Sequence, residues 1–110
     1  MIDWNRLREL REEVGADDFD EVVELFLDEV DTVINTLRAF PDPVGLENDL
    51  HFLKGSALSL GFRRFSDLCQ TFEHAAAQGN TDQVDLKELL TCYDSSRHMF
   101  LTNLQGQIAL

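Results

Sequence analysis

Apolar side chains recur three and four residues apart along nearly the whole chain, and the recurrence stops only at prolines and glycines. That spacing puts them on one face of a helix, so the chain folds by packing such faces together. Phe19, Val22, Val23, Phe26, Val30, Val33, Leu37 and Phe40 trace one long helix with acids between them. Pro41 and Pro43 end it, and Asp42 is expected to cap the next helix with Pro43 as its first residue. Leu46, Leu50, Leu53, Ala57 and Leu60 mark that second helix, closed by Gly61. A third runs through Phe65, Leu68, Cys69, Phe72, Ala75 and Ala76 to Gly79. The last spans roughly residues 83–105 through Leu86, Leu89, Leu90, Tyr93, Phe100 and Leu104. Trp4, Leu7, Leu10 and Val14 predict a shorter N-terminal helix, capped by Asp3 and closed by Gly15. The expected fold is all-α: an antiparallel up-down four-helix bundle with the short N-terminal helix laid across one end. At 110 residues the chain is read as one domain, residues 1–110.

Charge narrows the partners. Acids outnumber bases 21 to 9, for a net charge of −12, which argues against a nucleic-acid backbone or an anionic membrane as the main partner. No apolar run approaches the roughly 20 residues that span a bilayer. The start, Met1-Ile2-Asp3-Trp4, lacks the basic and apolar regions of a secretory signal. Cys69 and Cys92 form no short metal or redox spacing; Cys69 falls on an apolar stripe and is expected in the core. A cytoplasmic setting is expected.

Residues 46–60 depart from the ordinary pattern. Their apolar stripe covers only about 80° of arc, and His51 lies about 140° from Leu46, which points it at solvent. Phe52, Gly55, Leu58 and Ser59 share that outward face, Lys54 stands at its flank and Phe62 lies just beyond the helix end. Gly55 costs about 1 kcal/mol relative to alanine inside a helix. Helical side chains lean toward the N-terminus, so a glycine at 55 leaves the His51 imidazole uncovered. Between Leu50 and Ser66 there is no Asp or Glu, whereas the window holds His51, Lys54, Arg63 and Arg64. An exposed imidazole beside an ammonium suits a group that handles a phosphoryl anion: the ring as nucleophile, Lys54 steadying the transferred charge.

The run His51-Phe52-Leu53-Lys54-Gly55-Ser56-Ala57-Leu58-Ser59-Leu60-Gly61 closely resembles the signature of histidine-containing phosphotransfer (HPt) domains: Lys three after the histidine, Gly four, a small residue five and Gly ten after it. The resemblance extends to the architecture, a four-helix bundle with the histidine exposed on its second long helix. It implies a phosphocarrier of two-component phosphorelays. His51 takes a phosphoryl group from the aspartyl phosphate of one response-regulator receiver domain and passes it to the aspartate of another, with a hybrid histidine kinase as a further partner. Mg²⁺ is expected on the receiver and no cofactor on this chain. Many members place a Glu or Gln of the next helix against the histidine ring, and Glu73 takes that place. Ser59 departs from the family's frequent Asn. No Gly-rich phosphate loop is present, so the chain is expected to transfer phosphate rather than act as a kinase.

Plainer roles stand beside these. Ser56 faces nearer the core, where its hydroxyl would bond a carbonyl one turn back. Glu73 could be one more surface acid, and His74 and His98 have no pattern around them. Phe52, Leu58, Ser59, Phe62, Arg63 and Arg64 are expected to form a docking patch for a partner helix, although Phe52, Leu58 and Phe62 could instead be half-buried under loops. Two competing functions are a pure binding module that docks a receiver or kinase without being phosphorylated, and a metal site on Glu47 and His51. The second is weak, because two ligands do not make a site. A compact bundle with one exposed patch makes a monomer the default.

Overall fold

A computed structural model describes residues 2–108. Five α-helices follow in order: α1 (Trp4–Val14), α2 (Phe19–Ala39), α3 (Leu46–Ser59), α4 (Arg63–Ala77) and α5 (Leu86–Ile108), with a 3₁₀ turn at Thr81–Gln83. The molecule measures 45 × 22 × 20 Å along its principal axes, the elongated shape of long helices packed side by side. The all-α expectation holds, and α1 touches α2, α3 and α5. No helix of the described residues is long and apolar enough to cross a membrane.

Leu7, Val23, Val30, Leu50, Leu53, Phe65, Cys69, Leu89 and Phe100 are buried in one core, as their spacing predicts, and Ile34 joins them. Burial pushes the Cys69 thiol up to about 12, so it behaves as a small apolar side chain. The ends of the helices differ from expectation at the start of α3 and at both ends of α5. Asp42 does not cap α3; its Oδ1 accepts from the Val44 N–H at 3.0 Å and stiffens a turn, and the helix begins after Gly45. The last helix starts at Leu86 rather than near 83. Asp85 fixes that start by accepting the Glu88 N–H on Oδ1 and the Leu89 N–H on its carbonyl, both at 3.0 Å. It runs on to Ile108, which is buried. Asp3 caps α1 as expected, its Oδ1 accepting from the Arg6 N–H at 3.3 Å.

The turn between α3 and α4 positions everything that follows. Gly61 has φ +73°, and the Phe62 and Gly61 N–H groups bond back to the carbonyls of Ala57 (2.8 Å) and Leu58 (3.3 Å). This is the paired closure that ends a helix on a left-handed residue, and it folds α4 tightly back along α3. A Cβ on Gly61 would meet the Asp3 carbonyl oxygen at 2.5 Å, because the chain before α1 lies against this turn and the Asp3 N–H bonds Gly61 O at 2.7 Å.

Phe62 therefore has nowhere to go but inward. It is 1% exposed, edge-on to Phe100 at 5.2 Å between ring centres and tilted against Tyr93 at 6.2 Å. The expectation of an exposed Phe62 in the docking patch is corrected: once the Gly61 turn reverses the chain, its side chain packs into the core against Tyr93 and Phe100 of α5 instead of extending the face of α3. Next to this cluster, Arg97 of α5 grips Asp31 of α2 through two nitrogens (3.1 and 3.0 Å), and Tyr93 donates to the same carboxylate at 2.5 Å. That network fastens α2 to α5 and leaves α3 and α4 free to carry the site.

Candidate functional site

His51 stands on the second turn of α3 with its side chain 71% exposed. Across from it on α4, Glu73 presents Oε2 to the imidazole Nδ1 at 2.8 Å. The other oxygen of the same carboxylate, Oε1, is buried and lies 2.8 Å from Lys54 Nζ, at an angle that makes an ion pair rather than an aligned hydrogen bond. Three side chains from two helices thus meet at one carboxylate, which is only 19% exposed.

Helix geometry explains the meeting. His51 and Lys54 are three residues apart and so neighbours on one surface of α3. Ser66, Cys69 and Glu73 fall on a single stripe of α4 at helical spacing, and the first two are buried. Glu73 is the polar end of that buried stripe, facing His51 and Lys54 of α3. The Lys54 ammonium holds the Glu73 carboxyl below its ordinary value of 4.5, with the imidazole contact adding to it, against the opposing pull of partial burial. Glu73 is therefore a carboxylate, which can only accept, and the proton in its bond to His51 sits on Nδ1. Nε2 has no hydrogen-bond partner among the described residues and faces water with its lone pair.

A Cβ built at Gly55 meets nothing within 4 Å, so the position borders open space. No internal contact offsets its helix penalty of about 1 kcal/mol. Ser56 is buried beside Ala57, as its register predicts, but the hydroxyl that bonds a carbonyl one turn back is that of Ser59, to Gly55 O at 3.3 Å. Ser66 was not singled out by the sequence. It is buried, and its Oγ reaches the Lys54 carbonyl at 3.5 Å, tying α4 to the turn of α3 that carries the lysine. Its signal was a small polar residue on an otherwise apolar stripe.

Phe52 beside the imidazole is 37% exposed; toward the far end of the α3–α4 hairpin Leu58 is 55% exposed, Ser59 half-buried, and Arg63 and Arg64 exposed at the start of α4. All of the expected patch but Phe62 is at the surface. The first turn of α4 holds no acid, so its helix dipole and two arginines give this end of the face a positive field on an acidic molecule. Cys92 is half-buried on α5, away from the imidazole's contacts, and His74 pairs with Gln78 at 3.1 Å. No cluster of metal-ligating residues exists among the described residues, and Glu47 has no third ligand to join it with His51.

The family model described as Hpt domain matches residues 21–99, which hold nearly all of α2, the whole of α3 and α4, and most of α5. Among curated proteins, the chain is similar to histidine-containing phosphotransfer protein 5 of Arabidopsis thaliana, 34% identical over 85 residues, covering 72% of this chain and 54% of that protein. It is also similar to phosphorelay intermediate protein YPD1 of Candida albicans, 28% identical over 104 residues, covering 87% of this chain and 55% of that protein. The chain spans about half the length of these relatives. No solved structure matches it significantly.

Proposed function

The chain belongs to the Hpt domain family, and from that membership we propose that it is a histidine phosphocarrier of a phosphorelay, loaded on His51 by the aspartyl phosphate of one receiver domain and discharged to the aspartate of another. The observation that carries the proposal is the exposed imidazole whose Nδ1 is engaged by Glu73 and whose Nε2 is left as an unshared nucleophile. Nε2 attacks the phosphorus, and Glu73 keeps the ring in the tautomer that makes this possible. Lys54, one turn on, steadies the negative oxygens of the phosphoryl group.

Gly55 supplies clearance for the partner and Ser56 supports the helix beneath it. Phe52 and Leu58, with Ser59 beside them, form the floor on which a receiver docks. Arg63 and Arg64 complement the acidic pocket in which a receiver holds its own Mg²⁺. On this reading the chain carries phosphate and does not make it. It works as a monomer in the cytoplasm, with receiver domains and a hybrid kinase as its partners.

The test is transfer from a receiver domain labelled with radioactive phosphate. His51→Gln should take up no label while keeping its helical circular dichroism. Label retained by that variant would overturn the assignment of His51, and equal receiver binding by wild type and variant with no label on either would show a docking module instead.

A further inference from the structure

The two most exposed large apolar side chains among the described residues flank the turn between α2 and α3: Val44 is 92% and Phe40 79% exposed. Phe40 continues the apolar stripe of α2 in sequence, yet the helix ends at Ala39 and its ring stays outside the core. The chain between the two is stiff. Pro41 and Pro43 fix two φ angles, and Asp42 Oδ1 accepts the Val44 N–H at 3.0 Å. The Leu46 N–H reaches the Pro43 carbonyl at 3.4 Å, so the turn runs directly into α3. Such a segment presents apolar surface with little conformational freedom left to lose on binding.

Position decides what covers it. His51 is the sixth residue of α3, so Val44 lies seven positions earlier, about 10 Å along the axis and nearly in phase with the imidazole. Val44, Asn48 and Phe52 follow one another at four-residue steps beside His51, and all three are exposed. On the phosphocarrier reading above, on which this rests, a receiver must bring an aspartate to Nε2. A stable interface takes roughly 800 Å² from each partner, a disc of about 16 Å radius. A receiver centred on Nε2 therefore overlies Val44 as well.

We propose that the Phe40–Val44 turn is a second docking element for the receiver, beyond the Phe52 and Leu58 floor, and selects receivers whose matching surface is apolar and fringed by Lys or Arg. Acids around the turn supply the charge. Asp42 and Asp82 border one cleft with Pro41 and Pro43, and Glu47 is exposed on the first turn of α3. Burial, and then the Asp42 carboxylate, raise the Asp49 carboxyl above its ordinary value of 3.8, which marks a negative field at this end. Arg38, two residues before Phe40, is already paired with Asp94 at 3.0 Å. At the other end of α3 the chain turns into α4 through Arg63 and Arg64. His51 thus lies between an acidic, apolar end and a basic one, and a partner of matching polarity docks in one orientation.

The test takes, from a panel of receiver domains, the one that full-length wild type binds most tightly, and titrates it with unphosphorylated chains. The double variant Phe40→Ser, Val44→Ser should raise the dissociation constant about tenfold while keeping its helical circular dichroism. Val44→Ser alone should raise it about threefold, and decides the matter if the double variant does not fold. Asp42→Asn keeps an acceptor for the Val44 N–H and should weaken binding about threefold at low salt only. Leu101→Ser removes a leucine 47% exposed on α5, about four turns beyond Leu86 at the cleft, and should change nothing. Phosphoramidate, which phosphorylates imidazole without an enzyme, should load His51 equally in all of them. Equal binding by wild type and the turn variants, or equal weakening by Leu101→Ser, overturns the proposal and leaves the carrier reading intact. A dimeric wild type made monomeric by the double variant assigns the turn to a second copy of this chain and overturns it too. Asp42→Asn binding like wild type at low salt overturns the basic fringe. Turn-dependent receiver binding with a His51 that cannot be loaded overturns the carrier reading alone, and a wild type that binds no receiver overturns both.

Discussion

Lys54 Nζ lies 2.8 Å from Glu73 Oε1, so the lysine one turn beyond His51 is tied to the neighbouring helix in the protein alone. Its observed task, neutralising a half-buried carboxylate, and its proposed one, meeting a phosphoryl group, are separable by measurement. Lys54→Ala leaves Oε1 buried without its counter-charge and should cost about 1–3 kcal/mol in urea unfolding. Adding Glu73→Gln should return part of that loss, giving a double variant less destabilised than the sum of the singles. Additive costs would show that the two side chains do not interact.

Acid should loosen the same junction. The folded-state value of Glu73 is depressed, first by Lys54 and then by His51, so its contribution to stability is fully present above its ordinary value of 4.5. That contribution disappears as pH falls through the lower folded-state value. Wild-type unfolding free energy, followed by circular dichroism from pH 6 downward, should fall more steeply below about pH 4.5 than that of Glu73→Gln. Parallel curves would remove Glu73 from the acid response.

Two glycines ten residues or fewer from the imidazole should respond oppositely to alanine. Gly55→Ala enters open space in a helix and should stabilise the fold by up to about 1 kcal/mol while slowing phosphoryl transfer. Gly61→Ala forces an L-residue to φ +73° and drives its Cβ onto the Asp3 carbonyl, so it should destabilise by more than about 1 kcal/mol. Thermal unfolding of both, with transfer assays on Gly55→Ala, checks the contrast. An unimpaired, stabilised Gly55→Ala would leave the glycine without a role in docking.

Phe62 and Leu58 give a second contrasting pair. Phe62→Ala empties a fully enclosed aromatic site and should cost about 3–5 kcal/mol. Leu58→Ala, 55% exposed, should change stability by no more than about 0.5 kcal/mol and weaken receiver binding instead. Equal stability losses would place Leu58 in the core.

These contrasts mark where the sequence was legible. Periodicity reveals faces within a helix, and it located His51, Phe52 and Leu58 on the outer surface and Ser56 and Cys69 on the inner one. It says nothing about residues after a helix has ended, and Phe62 was misplaced because the Gly61 turn, not a wheel, decides its direction. The fixed spacing from His51 to Gly61 identified the imidazole and its lysine. The contact of Lys54 with Glu73 was out of reach, because it depends on how α4 registers against α3 across the turn. A hint was present in Glu73 itself, an acid in phase with Ser66 and Cys69. Asp31, Tyr93 and Arg97 were unreadable for the same reason, being 62 and 66 residues apart and joined only by packing.

His51, Lys54 and Glu73 all belong to α3 and α4, one hairpin whose internal registry depends on a single three-residue bend. The other helices press on that hairpin without contributing an atom to the trio. Insertions or altered lengths in the segments 41–45 and 78–85 would therefore change what the module is joined to, or how it is addressed, and spare its chemistry. Such a division lets relay modules diversify at their margins while a short contiguous stretch of chain keeps the reaction.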